Sequence, residues 1–172
     1  MPHPRRFRRS LAAVLLAALP LALAGCGAGK KAETLRIKPD TPATSLGSLL
    51  IQNVVLLTGP LGGGGPLAVT GSIYNGGGAP DQIQRISVNE LPLPAEIVPA
   101  PSHPELRVLP MQTLQLGGPG NTTAVVPNVA DLVRSGDTRR VTFTFAREGE
   151  ATLWVPVLAA RSYYAGYGPL AS

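Results

Sequence analysis

The chain has 172 residues, with 15 Lys plus Arg against 10 Asp plus Glu and a single cysteine, Cys26. One cysteine excludes an intramolecular disulfide, so stability has to come from packing. Four arginines (Arg5, Arg6, Arg8, Arg9) fall in the first ten residues; beyond them eleven bases face ten acids, which gives no footing for a nucleic-acid partner.

The arginine-rich start is followed by an apolar run over residues 11–24. A charged segment and then an apolar one is the pattern of a signal peptide. The run is shorter than the roughly 20 residues an α-helix needs to cross the hydrocarbon core, so it targets the chain without anchoring it. It ends in Leu23-Ala24-Gly25-Cys26, which matches the bacterial lipobox: an aliphatic residue, two small ones, and the thiol that receives diacylglycerol. Residues 1–25 are therefore expected to be cleaved, and the expected location is the extracytoplasmic face of the cell membrane. The membrane is the partner, through diacylglyceryl on Cys26. Two acyl chains bind a bilayer stably where one does so only marginally. Arg8-Arg9-Ser10-Leu11 also suits twin-arginine export, and the export route stays open.

Residues 26–47 are small, polar and proline-containing, without apolar periodicity, and are read as a flexible tether. Its average span is about 25 Å. The expected domain covers residues 48–160, followed by an aromatic tail over 161–172. Within it, residues 49–57 form a continuous apolar run, as in a strand buried on both faces. Residues 67–74 alternate, and Val141, Phe143 and Phe145 alternate with Arg140, Thr142 and Thr144 in the clearest half-buried strand. Further strands are expected near 82–91, 106–109, 112–116, 123–126 and 151–158. Ile83 is out of phase with Ile86 and Val88, which predicts a bulge at Gln84-Arg85. A helix of one or two turns is expected over 129–135, capped by Asn128 and ended by Gly136. Pro156 predicts that the last strand lies at a sheet edge. The fold class is all-β: an antiparallel Greek-key β-sandwich, cupredoxin-like or immunoglobulin-like.

The chemistry-bearing residues are few. The glycine run 62–65 lacks the Lys-Ser/Thr ending of a phosphate loop and reads as a hairpin or loop. Asn121-Thr122-Thr123 fits a glycosylation sequon by coincidence. His103 is the one histidine of the exported chain, in a proline-rich stretch without a nucleophile elbow. Glu148 and Glu150 are a conceivable carboxylate pair but sit in an expected turn, where solvated charges are the ordinary outcome. No enzyme is expected. Trp154 faces away from Leu153, Val155 and Val157 and either covers the sheet's second face, the preferred reading, or stands exposed for a partner. Tyr163, Tyr164 and Tyr167 suit either an interface or a tail packed on the sandwich.

Three stretches carry a family resemblance: AVTGSIYNGGGAPDQIQRISV, RVLPMQTLQLGG and LVRSGDTRRVTFTFAREGEATLWVPV. Their strand order and turns, over residues 49–157, resemble PCu(A)C-type periplasmic copper chaperones, and similar lipobox-bearing proteins occur in actinobacteria. The resemblance implies a cupredoxin-like β-sandwich. That family's metal motif is a histidine, a methionine about ten residues on, then a His-x-Met pair some twenty further. The exported chain has only His103 and Met111, and Asn121-Thr122-Thr123 stands where the pair should lie. The leading expectation is thus a non-enzymatic binding or assembly domain with no cofactor and a protein partner still unknown. The alternative is a copper chaperone using His103, Met111 and further ligands, and the third and least favoured reading is a cell-surface hydrolase with a carboxylate site.

Overall fold

The computed structural model describes residues 42–127, 129 and 132–169. The lipobox Leu23, Ala24, Gly25 and Cys26, and Asn128, lie outside the described residues. The described residues are almost all β. Ten strands run in chain order: β1 (Thr44–Leu46), β2 (Leu49–Thr58), β3 (Leu67–Asn75), β4 (Asp81–Val88), β5 (Glu96–Val98), β6 (Arg107–Val108), β7 (Thr113–Leu116), β8 (Thr123–Val126), β9 (Thr138–Phe145) and β10 (Glu150–Ala159). They form one curled sheet in the order β5-β8-β3-β2-β10-β9-β4-β6, with β1 on β2 and β7 on β3. Folded over at β10, the sheet makes a sandwich whose inner faces share one core.

Local sequence dictates which side each strand buries. In β9, Val141, Phe143 and Phe145 point inward, and Thr138 and Arg140 point to solvent with Thr142 and Thr144 only half covered. In β4 the register against β9 shifts between Ile83 and Arg85, which is the expected bulge and lets Ile83, Ile86 and Val88 all reach the core. A second bulge interrupts β2 between Gln52 and Val55, with Asn53 in the left-handed region (φ 56). Before it, Leu49 and Ile51 are buried and Leu50 is exposed; after it both faces are covered. Val54 and Leu56 enter the main core, while Val55 and Leu57 join a smaller cluster under Tyr164 and Tyr167. The tail tyrosines Tyr164 and Tyr167 therefore pack back on the sheet, and of the three tyrosines only Tyr163 is largely exposed. Each fully buried aliphatic or aromatic side chain contributes about 1.5–3 kcal/mol.

Pro156 marks an edge locally: Glu150–Pro156 are paired on one side alone, with β9, and β2 joins the strand only from Val157. It stands where β10 changes partner: pairing with β9 runs antiparallel to Pro156, and pairing with β2 runs parallel from Val157 to Ala159. A residue without an N–H is tolerated where one ladder ends and the next begins. Of the one or two helical turns expected over 129–135, the described residues show a single 3-10 turn at Leu132. Leu132 N–H bonds Val129 C=O (3.0 Å), and Arg134 is already extended, in a bridge with Gly63. Trp154 is 62% exposed. In addition, β1 takes Thr44–Leu46, part of the stretch read as tether, into the sheet against β2.

Candidate metal centre

The prolines around His103 shape its setting. Pro101 favours a turn, and His103 N–H closes it on Ala100 C=O (2.9 Å). Thr122, 2% exposed, accepts the Ala100 N–H on Oγ1 (3.3 Å), so the turn is fastened to the loop between β7 and β8. The result is a cleft of about 110 Å³ whose walls include His103, Arg107, Gln112, Asn121 and Thr122. His103 is exposed, and its Nδ1 lies 3.0 Å from Ser102 Oγ. Arg107, paired with Glu105 at 3.3 Å, adds a positive charge to the wall.

The opposite wall depends on Asn75, which is fully buried. Its Nδ2 donates to Val108 C=O and Ala79 C=O (2.9 Å each), and its Oδ1 accepts from Gly77 N–H (2.9 Å). Its main chain holds the turn 109–112: Asn75 N–H donates to Gln112 C=O (3.0 Å), and Met111 N–H donates to Asn75 C=O (2.7 Å). Within that turn Gln112 N–H bonds Leu109 C=O (3.1 Å). Met111 occupies the position after proline with φ 57, where glycine or asparagine is usual. Its sulfur turns to Tyr74, whose hydroxyl donates to Sδ at 3.5 Å.

The structure therefore places His103 beside Asn121 and Thr122, where the resemblance puts the His-x-Met pair. Met111 belongs to a turn that borders the same cleft, but it is not among the residues lining it. Cu(I) prefers thiolate, thioether and imidazole donors. The cleft offers one imidazole among hydroxyls, amides and a guanidinium, which does not amount to a copper site within one chain. Among the described residues no three His, Cys, Asp or Glu side chains converge as metal ligands. Glu148 and Glu150 are engaged separately: Ser48 Oγ donates to Glu148 (2.9 Å), and Thr144 Oγ1 donates to Glu150 (3.0 Å). The sequence shows Thr122 only as part of a sequon and gives Asn75 no role, because it is burial in the tertiary structure that makes both structural.

No protein-family profile matches the chain, and no curated protein matches its sequence. Solved structures do. A copper-bound PCuAC domain from PmoF2 is similar with a TM-score of 0.57 and 18% identity, over 68% of this chain and 97% of that one. An apo PCuAC domain from PmoF1 gives 0.58 and 21%, over 68% and 98%. The apo PmoF2 PCuAC domain gives 0.57 and 16%, over 70% and 97%. At these identities the likeness is one of fold, and the domain of this chain is a β-sandwich of the PCuAC type.

Proposed function

We propose that this chain is an exported, lipid-anchored domain that acts by binding rather than catalysis, as a copper-chaperone-like protein on the extracytoplasmic face of the cell membrane. The observation that carries this reading is the fold, shared with PCuAC domains of which one holds copper. The lipobox ending in Cys26 supports the anchor. With one imidazole in the cleft and the single thioether outside it, one chain would hold Cu(I) weakly and pass it on readily. The remaining ligands would come from the molecule with which it exchanges the ion. The same ligand count favours a second reading, in which the domain keeps the scaffold and binds a protein partner without copper.

Titration of the folded protein with Cu(I), followed by the His103 ring and Met111 methyl NMR signals, separates the two. Shifts of the His103 signals at substoichiometric copper, with copper-induced shifts of neighbouring backbone amides lost in His103→Ala, support copper handling. Unmoved signals at both residues leave the scaffold reading.

A further inference from the structure

The outward face of β4, β9 and β10 carries the chain's only tryptophan, Trp154, 62% exposed on an antiparallel ladder. Its direct cross-strand neighbour is Arg140, whose guanidinium carbon lies 5.7 Å from the ring centroid. Arg85 of β4 shares the face, opposite Thr144. Neither Arg85 nor Arg140 has an ion-pair partner among the described residues. The one carboxylate on the face, Glu150, is bonded to Thr144 at its far end. A large indole here gains nothing from the core.

We infer that this face docks on the anionic surface of the membrane to which the chain is tethered, with the Trp154 ring at head-group depth and the two guanidiniums on lipid phosphates. Indole rings settle at the membrane–water interface, and guanidinium matches phosphate oxygens in a bidentate fork. The position of the tether favours this occupant over a protein. The described chain starts at Pro42, whose C=O accepts the Val54 N–H (3.4 Å), and the next element, β1, packs along β10. The tether thus reaches the domain on the flank of the strand that bears Trp154. This inference rests on the lipid anchor at Cys26. A flexible chain of sixteen residues, the number from Cys26 to Thr41, would span about 20–24 Å on average and would hold the face within reach of the bilayer. At the millimolar local concentration of a short tether, even a millimolar affinity keeps the face docked about half of the time.

The test uses the lipidated protein in phosphatidylcholine vesicles with and without phosphatidylglycerol, reading flotation and the emission of Trp154 together. On anionic vesicles at low salt the emission should move to shorter wavelength and be quenched by lipids brominated on their acyl chains, and high salt should reverse both. Arg85→Ser with Arg140→Ser should lower the ratio of docked to undocked protein about 25-fold, at about a factor of five per basic residue. Protein that floats with the vesicles while Trp154 stays solvent-like and unquenched overturns the docking. Protein that does not float overturns the anchor, and the docking with it. An emission shift produced only by an added soluble protein, with lipid inert, assigns the face to a protein partner instead.

Discussion

Asp81→Asn tests how one end of the sandwich is held. Asp81 is 4% exposed, and its carboxylate accepts three backbone N–H groups: Gln82 (2.7 Å) and Arg147 (2.9 Å) on Oδ1, and Glu148 (3.0 Å) on Oδ2. These bonds clamp the β9–β10 turn to the start of β4. Glu148 extends the clamp by accepting from Ser48 Oγ, next to β1. Asparagine has the same shape and keeps the Oδ1 acceptor, but it sets an NH₂ group against the Glu148 N–H. A hydrogen bond to a charged acceptor contributes about 1.5–3 kcal/mol, and the orphaned donor adds to the loss, so about 2–3 kcal/mol should disappear. With a urea m-value of about 2 kcal/mol/M, the unfolding midpoint should fall by about 1–1.5 M at unchanged slope. Asp81→Ala, which removes all three acceptors, should cost more than Asp81→Asn. A midpoint for the Asn variant within about 0.2 M of the parent, a change of under about 0.5 kcal/mol, would show that the clamp contributes little.

Cys26→Ala should remove the lipid and leave unprocessed or shed protein; fully processed mutant that fractionates with membranes as firmly as the parent refutes the anchor. Gly118 has φ 84, and a Cβ added there would lie 2.7 Å from Tyr167 Cε1. Gly118→Ala should therefore destabilise the domain by about 1–3 kcal/mol and change the near-UV signal of the tyrosine cluster, whereas an unchanged spectrum would mean that the tail does not pack on this loop. The Arg134 backbone N–H and the Arg139 guanidinium hold the Asp137 carboxyl below its usual range, against a smaller effect of desolvation. A depressed carboxylate stabilises the fold above its unfolded pKa and loses that effect as pH falls through its folded one. Asp137→Asn should thus be less stable than the parent at neutral pH and converge with it in acid; a stability difference independent of pH contradicts this.

Much of the fold is written in short-range pattern. Period-2 alternation announces β9, and the phase slip at Ile83 announces its partner's bulge, because side-chain direction in a strand is a local property. The glycine and Asn-Gly turns are equally legible, since only a few residues accept their backbone angles. Other features depend on neighbours distant in sequence. The three-residue β5 sits between Pro94 and Pro99 and exists only because β8 offers it a ladder. The bulge at Asn53 has no composition signal, and the apolar run through β2 does not say that tyrosines more than a hundred residues later will cover its outer face. Trp154 could be placed on its side of the strand, but whether anything lies above it is a question of layers.

The candidate centre divides in the same way. Residue counts alone established that His103 and Met111 are the single histidine and the single methionine of residues 27–172, because composition is independent of folding. Tertiary structure decided that the two do not converge: His103 is fastened by Thr122 beside Asn121, whereas Met111 is carried on a turn fixed by Asn75 and directs its sulfur to Tyr74. Convergence is a property of three-dimensional distance between loops, and spacing along the chain does not contain it.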